Sequence, residues 1–353
     1  MILQFLYAFL AALFYAINIP CSKLMLTKIP AACMAGFLYL GAGLGIGIVY
    51  LFHLKNQNKT KNLSKADLPY TLAMILLDIA APILLMQGIK TGSSSSASLL
   101  GNFEIVATTI IAMAVFKEKV SGRLWISIIL ITLASMILSF ESLASLKEGI
   151  LEFSSASLFV LGATLCWGIE NNCTRRLSEK NTYQIVTVKG LASGTGSLIV
   201  AVLLGDFNFT NTDRVFDVRF IPLVLLLGFI AYGLSIFTYI RAQKYLGAAK
   251  TSAFYAVNPF VGALLSFLLL GEKLSMQYFI ALIIMIIGIV SLIIDTLSHA
   301  HCHQHEHVFT HTHDGTTHTH RIIHSHEHTH LIWNKNHWHF HSKKDLEKES
   351  KHG

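Results

Sequence analysis

The apolar residues of this chain are gathered into long uninterrupted runs, with polar residues confined to the gaps between them. A helix needs about twenty apolar residues to cross the ~30 Å hydrocarbon core of a bilayer. Ten runs of that length follow one another upstream of residue 295. The pattern therefore predicts ten transmembrane helices, at 2–22, 31–52, 68–90, 97–116, 122–140, 154–176, 183–204, 220–242, 251–270 and 276–295.

Composition agrees with this pattern. The 353 residues are 53% hydrophobic and only 13% charged, whereas soluble domains carry about 25% charged residues. The first run lacks the basic n-region and the small-residue cleavage site of a signal peptide, so we expect it to remain as a helix. The chain is thus predicted to be an all-α integral membrane protein, with the lipid bilayer as one of its partners.

The distribution of Lys and Arg predicts how the helices are oriented. With the N-terminus inside, the inner loops hold 13 of these residues and the outer loops hold 7. Cytoplasmic loops collect Lys and Arg, so we expect a plasma-membrane protein with the N-terminus and, after ten spans, the C-terminus in the cytoplasm. The same topology accounts for the net charge of +7 without a nucleic-acid partner.

The two halves of the chain share short motifs at offsets of 152 to 154 residues. FYAINIPCSK (14–23) aligns with CWGIENNCTR (166–175), GAG (41–43) with GTG (194–196), and FKEKVS (116–121) with LGEKLS (270–275). Because each copy holds five helices, an odd number, the second copy enters the membrane from the opposite side. Such inverted repeats are typical of transporters that bind their substrate near the midplane, where the halves meet.

These motifs, together with NPFVGALLSFLLLGEKLS (258–275), resemble the EamA-type members of the drug/metabolite transporter superfamily. The resemblance covers residues 1–295 and implies two inverted five-helix repeats that export or exchange small organic metabolites. The Glu-Pro pair usual at the fourth and ninth helices is Glu104-Ile105 and Asn258-Pro259 in this chain, so each half keeps one residue of the pair.

The predicted organisation has four parts. Residues 1–140 form the first five-helix repeat, 141–153 an extracytoplasmic linker, 154–295 the second repeat, and 296–353 a histidine-rich cytoplasmic tail. The glycines of LGAGLGIGIV and KGLASG have the GxxxG spacing that lets helices approach closely. We expect them to pack helices within one chain, with a dimer interface as the alternative, and whether the protein is a monomer or a homodimer stays open.

Several polar residues fall within the predicted spans, where a charged side chain costs ~2.5–3.5 kcal/mol and usually faces a cavity or a partner. We predict that they line the substrate pathway. The alternative is a structural role, as a buried ion pair such as Lys189 with Glu170 or as interhelical hydrogen bonds. Two aromatic residues, Tyr15 and Trp167, are expected to serve in packing or at the membrane interface. The predicted pathway residues are Asn18, Asp78, Glu104, Glu170, Asn171, Lys189 and Asn258.

The tail concentrates 17 of the 18 histidines between His299 and His352. Neutral imidazole is a good ligand for Zn²⁺, Ni²⁺ and Cu²⁺, so we predict loose, exchangeable binding of these ions. Alternation of histidines around Asp314-Gly315 also predicts a two-residue hairpin with His311 opposite His318. The predicted metal ligands are His299, His301, Cys302, His303, His305, His307, His311, His313, His318, His320, His324, His326, His328 and His330.

Three functions are compatible with these features. The leading hypothesis is a secondary transporter of a small organic solute, amino-acid-like or drug-like, that requires no cofactor and carries the tail as an accessory metal binder. The alternatives are a divalent metal (Zn, Ni or Co) efflux transporter and a metal-responsive membrane sensor. An enzyme is not expected, because the HExxH-like match HEHTH (326–330) needs only one glutamate in a tract of alternating histidines.

Overall fold

The computed structural model describes residues 2–53, 61–92, 94, 97, 100–118, 120–139, 155–206, 217–271, 276–313 and 316–331. Short 3₁₀ turns cover Lys65–Asp67 and Val218–Phe220, and a π-helical turn covers Gly228–Leu234. The α-helices are α1 Ile2–Ala16, α2 Asn18–Met25, α3 Ala31–His53, α4 Leu68–Thr91, α5 Phe103–Phe116, α6 Gly122–Ser139, α7 Ser155–Leu177, α8 Thr182–Leu203, α9 Ile221–Leu227, α10 Ser235–Tyr255, α11 Asn258–Leu270 and α12 Met276–Leu297.

The prediction of a nearly all-helical membrane fold is confirmed. Six helices (α3, α4, α6, α7, α8 and α12) each cover one predicted span to within two residues at either end. Five helical stretches are long and apolar enough to cross a membrane, and three shorter apolar helices accompany them. The five stretches are Leu3–Met25, Ala31–His53, Lys65–Thr91, Thr182–Leu203 and Val218–Leu270.

The first predicted span is divided into two helices by a proline. α1 ends at Ala16, which is the residue four positions before Pro20. Proline has no amide hydrogen, so it cannot donate to the carbonyl of Ala16, and the helix is interrupted there. After Ile17 the backbone continues as α2, and the amide of Cys21 donates to the carbonyl of Ile17 at 3.3 Å.

The fourth and ninth spans differ from the prediction in the same way, because each is broken within its first third. In the first half, a turn at Gly101 and Asn102 precedes α5. In the second half, α10, which is kinked at the non-helical Gly247, ends at Tyr255, and α11 begins at Asn258 with proline in its first turn. The two breaks occupy equivalent positions of the repeat, so each half contributes a discontinuous helix of the kind that forms substrate sites in transporters.

The helices of the two halves are interleaved. The most extensive helix contacts join α3 to α8, α4 to α7 and α1 to α10, and each of these pairs combines one helix from each half. Glycines permit the closest approach: a Cβ on Gly43 would lie 2.5 Å from the backbone of Leu191, and a Cβ on Gly190 would lie 2.3 Å from the backbone of Gly43. The expectation that these glycines pack helices within one chain is therefore confirmed.

The backbone of the histidine-rich segment forms two strands. Strand β1 (Ser298–His313) pairs antiparallel with strand β2 (Thr316–Leu331). The register places His311 opposite His318, as the hairpin prediction requires, and the turn residues 314–315 lie outside the described residues. Four further positions pair histidine with histidine: His299 with His330, His301 with His328, His303 with His326, and His305 with His324.

Candidate functional site

A cavity of about 480 Å³ lies between the two halves of the helical body. Tyr15, Tyr39 and Glu104 line it from the first half, and the remaining wall comes from α7, α8, the π-helical turn and α10 of the second half. A second cavity, of about 420 Å³, shares Glu104 and Tyr15 with the first and reaches the break before α11.

A buried ion-pair cluster forms one side of the site. Lys189 on α8 lies 3.1 Å from Asp78 on α4 and 2.7 Å from Glu170 on α7, measured from the ammonium nitrogen to the nearest carboxylate oxygen. All three side chains are at most 4% exposed. The hydroxyl of Tyr39 donates to Asp78 at 2.7 Å, and the hydroxyl of Thr174 donates to Glu170. One ammonium thus forms ion pairs with two carboxylates, and the cluster joins α3, α4, α7 and α8.

Glu104 is held differently from the other two acids. It lies in the first turn of α5, directly after the break in the fourth span, where the positive end of the helix dipole favours a carboxylate. Its carboxylate accepts a hydrogen bond from the amide nitrogen of Asn171 at 2.6 Å. Asn171 also contacts the hydroxyl of Thr108 at 3.3 Å. Within the described parts of the chain, no Lys or Arg lies within ion-pair distance of Glu104.

The equivalent position in the second half is Asn258, which begins α11. Asn258 lines the second cavity together with Glu104, so the structure brings both residues to one site. The side-chain oxygen of Asn258 is buried and has no hydrogen-bond partner among the described residues. The breaks therefore bring a carboxylate from the first half, that of Glu104, and an amide from the second half, that of Asn258, to the second cavity.

The predicted pathway residues divide into two groups. Glu104, Glu170, Asn171, Lys189 and Asn258 line the cavities. Asn18 and Asp78 are fully buried and are not among the residues that line these two cavities. Asn18 donates to the hydroxyl of Tyr232 at 3.3 Å and Asp78 accepts from Tyr39. Both therefore support the wall through a tyrosine rather than forming its surface.

Aromatic rings make up much of the remaining wall, and no sequence motif groups them together. Tyr15 contacts Trp167, Tyr232 and Tyr255, with ring centroids 6.1, 5.4 and 5.7 Å apart. Tyr232, on the π-helical turn, also contacts Tyr39, with ring centroids 5.0 Å apart. Tyr255 likewise contacts Tyr239, with ring centroids 5.1 Å apart. The assignment of Tyr15 and Trp167 to packing or the interface was incomplete, since both also line the cavities.

The predicted metal ligands all belong to the histidine-rich tail. They lie on β1 and β2, for which only the backbone register is described. Among the residues whose side chains are described, no group of three or more His, Cys, Asp or Glu side chains is arranged to hold a metal ion. The predicted metal set on the tail stays a prediction.

Known proteins similar to this chain are transporters. It is 24% identical over 305 residues to an uncharacterized transporter of Methanothermobacter thermautotrophicus, covering 79% of this chain and 82% of the relative. It is also 23% identical over 293 residues to an uncharacterized transporter of Clostridium kluyveri, with 80% and 91% coverage. The uncharacterized transporter YyaM of Bacillus subtilis is 23% identical over 239 residues, with 66% and 75% coverage.

A solved structure shares the fold at a TM-score of 0.63, with 14% identity and coverage of 82% of this chain and 95% of the other. The EamA-like transporter family matches twice, at residues 2–140 and 154–294. The two matches follow the internal repeat that the sequence motifs indicated. With a tandem match over most of its length and a cavity between the two halves, this chain belongs to the EamA-like transporter family.

Proposed function

We propose that this protein is a secondary transporter that exports or exchanges a small organic solute by alternating access. The observation that carries the proposal is the cavity between the repeats, to which both discontinuous helices contribute a polar side chain, Glu104 and Asn258. Inverted repeats that meet at such a site are suited to rocking about a fixed binding position. The sequence contains no glycine-rich phosphate loop, so transport is proposed to draw on solute or ion gradients rather than on nucleotide hydrolysis.

The protein is proposed to work in the plasma membrane with both termini in the cytoplasm. The support is the excess of Lys and Arg on one side of the predicted spans, which marks the cytoplasmic side of membrane proteins. Fusion of a reporter active only in the cytoplasm to residue 353 tests this orientation. A silent reporter on a well-expressed fusion would refute the proposed topology.

The histidine-rich segment is proposed to bind divalent metal as an accessory to transport. Five histidine pairs stand opposite one another in the strand register, and residues directly opposite in an antiparallel pair have Cβ atoms about 4.5–5.5 Å apart. Imidazole is a good ligand for Zn²⁺, Ni²⁺ and Cu²⁺. Under this proposal the metal is not the transported solute.

Counterflow in proteoliposomes tests the transport proposal. Vesicles are preloaded with one unlabelled solute at a time, and uptake of the same labelled solute is measured for amines, amino acids, organic acids and Zn²⁺. We expect accelerated uptake for at least one organic class, abolished by Ser235→Trp, which fills the cavity at a buried lining position. Tyr245→Trp places the same residue at an exposed position and serves as the control.

The outcomes separate the hypotheses. Accelerated uptake of Zn²⁺ alone, retained after truncation at Ser298, would establish metal efflux in place of organic transport. No accelerated uptake of any solute, from protein that remains monodisperse with an unchanged thermal transition, would refute the transporter assignment for this cavity and favour a sensor.

A further inference from the structure

Acidic side chains outnumber basic ones at the cavity. Glu104 and Glu170 line the cavity and Asp78 is buried behind Tyr39, whereas Lys189 is the one basic residue among the lining side chains. Lys189 lies within 3.1 Å of both Asp78 and Glu170, so its charge is already shared between two acids. Glu104 is left with a neutral amide as its partner. A carboxylate in the membrane interior is costly without a cation, so the site favours a ligand that supplies one.

The walls beside Glu104 are aromatic. Tyr15, Trp167 and Tyr255 line both cavities, as Glu104 does. Tyr239 and Tyr232 extend the same wall around the larger cavity. The faces of aromatic rings attract cations, and Trp and Tyr do so most strongly among side chains when the site is desolvated. Rings and a carboxylate together form the combination that recognises organic ammonium groups.

We propose that the solute bound in this cavity is a small organic cation, an amine or ammonium group on an apolar or aromatic body, with its nitrogen at Glu104 and its body against the tyrosine and tryptophan rings. This inference rests on the proposed transport function and narrows its substrate class. A bare metal ion fits the same walls poorly, because divalent cations require several oxygen or nitrogen ligands, and Asp78 and Glu170 are occupied by Lys189.

The competing ligand is a zwitterion such as an amino acid. Its amine would sit at Glu104 and its carboxylate at the N-terminal end of α11, where Asn258 adds an amide. That helix end offers only a partial positive charge, whereas a second carboxylate would be brought into a cavity that already contains an excess of acids. A cation without a carboxylate is therefore the better fit.

Three probes with the same phenol body isolate the effect of charge. Tyramine is a cation, tyrosine a zwitterion, and 3-(4-hydroxyphenyl)propionate an anion. Equilibrium binding of each labelled probe to the purified full-length protein is measured by scintillation proximity, and counterflow is measured in proteoliposomes. We expect tyramine to bind at least about tenfold tighter than tyrosine, the ratio that one charge-assisted contact supplies, and the anion to bind least.

Variants test the two components separately. Glu104→Gln is expected to weaken tyramine binding about tenfold, because it removes the charge but keeps a hydrogen-bonding group. Tyr239→Leu is expected to weaken it about fivefold, and Tyr239→Phe less, because phenylalanine keeps the ring face. The controls carry the same substitutions outside the cavity: Glu179→Gln, where the carboxylate is 62% exposed, and Tyr245→Leu, where the side chain is 62% exposed.

Each result decides one of the two proposals. Tyramine that binds no tighter than tyrosine, or not at all, overturns the substrate class. So does tyramine binding that Glu104→Gln leaves unchanged. Counterflow of another solute would in that case leave the transporter assignment standing. Selective tyramine binding that depends on Glu104 but is never accompanied by flux upholds the cation site and refutes transport.

Discussion

Lys189 and Asp78 form a buried ion pair between α8 and α4, with 3.1 Å between the ammonium nitrogen and the carboxylate oxygen. The same ammonium binds Glu170 at 2.7 Å. The sequence allowed Lys189 to pair with Glu170 or to serve transport directly, and the structure adds Asp78 as a second acid. The pairing gives Lys189 an electrostatic role in the folded protein whether or not it also contacts solute.

Removing that ammonium is predicted to destabilise the protein strongly. Lys189→Met leaves two uncompensated buried carboxylates, and breaking a buried pair costs about 3–5 kcal/mol. We expect a large fall in the thermal transition of the purified protein in detergent. Lys244→Met removes a lysine whose pair with Glu179 is solvent-exposed, so it should cost no more than about 1 kcal/mol. Equal transitions for the two variants would contradict a stabilising cluster.

The double variant tests the pairwise nature of the cluster. Lys189→Met with Asp78→Asn removes one buried negative charge along with the positive one, so it should be more stable than Lys189→Met alone. If the second substitution lowers the thermal transition further, the two groups do not compensate each other in the way that their distance indicates.

The close approach of α3 to α8 predicts that an added side chain between these helices destabilises the protein. A Cβ on Gly43 would meet the backbone of α8 at 2.5 Å, so Gly43→Ala must force the helices apart, at about 1–3 kcal/mol. Gly122→Ala is the control, because nothing lies within 4 Å of the added Cβ there. Thermal unfolding of both variants in detergent measures the difference. A Gly43→Ala protein as stable as the control would mean that this contact is loose.

The junction between the eighth and ninth spans predicts a third effect on stability. Gly247 has φ 80° and ψ 174°, a region that is essentially restricted to glycine and costs other residues about 1–3 kcal/mol. The carboxylate of Glu118 accepts from the amides of Ala248 and Ala249, at 3.1 and 3.3 Å. Gly247→Ala should therefore lower the thermal transition and Glu118→Gln should lower it less, since glutamine keeps an acceptor.

A double variant tests whether Gly247→Ala and Glu118→Gln disturb the same junction. Because both act on one junction, their combined effect should be smaller than the sum of the separate effects. Fully additive losses would indicate that Glu118 and Gly247 act independently.

The tail provides a prediction about metal. Truncation after Ser298 should abolish the binding of Zn²⁺ and Ni²⁺ measured by equilibrium dialysis, because the predicted ligands lie in the removed segment. Counterflow of organic solute should be unchanged. Retained metal binding would place metal ligands in the helical body, and lost counterflow would give the tail a direct part in transport.

The helices were predictable because a bilayer imposes length and hydropathy on every span. The breaks within the spans were harder to predict. Pro20 and Pro259 lie at two of the breaks, but the turn at Gly101 and Asn102 carries no proline to mark it. The motif FKEKVS was recognised only as a marker of the repeat, although Glu118 within it binds the backbone after Gly247.

The site was only partly predictable for a related reason. Acids within a span stand out in the sequence because their insertion is costly, so Glu104 and Glu170 were identified. Tyrosines carry no such cost and are common in membrane helices, so the aromatic wall became visible only once α1, α7, the π-helical turn and α10 were brought together. The pair between Lys189 and Asp78 likewise depends on α8 lying beside α4, which no local pattern specifies.

Tyr15 belongs to the first repeat, whereas Trp167, Tyr232 and Tyr255, whose rings it touches, all belong to the second. Any rocking of one repeat against the other must separate or slide these rings, because one side chain cannot follow three partners that move together away from it. The surroundings of the Tyr15 ring therefore depend on the relative position of the two repeats. A fluorine atom on that ring would register the conformational cycle as a change in chemical shift, without any label being attached to the outside of the protein.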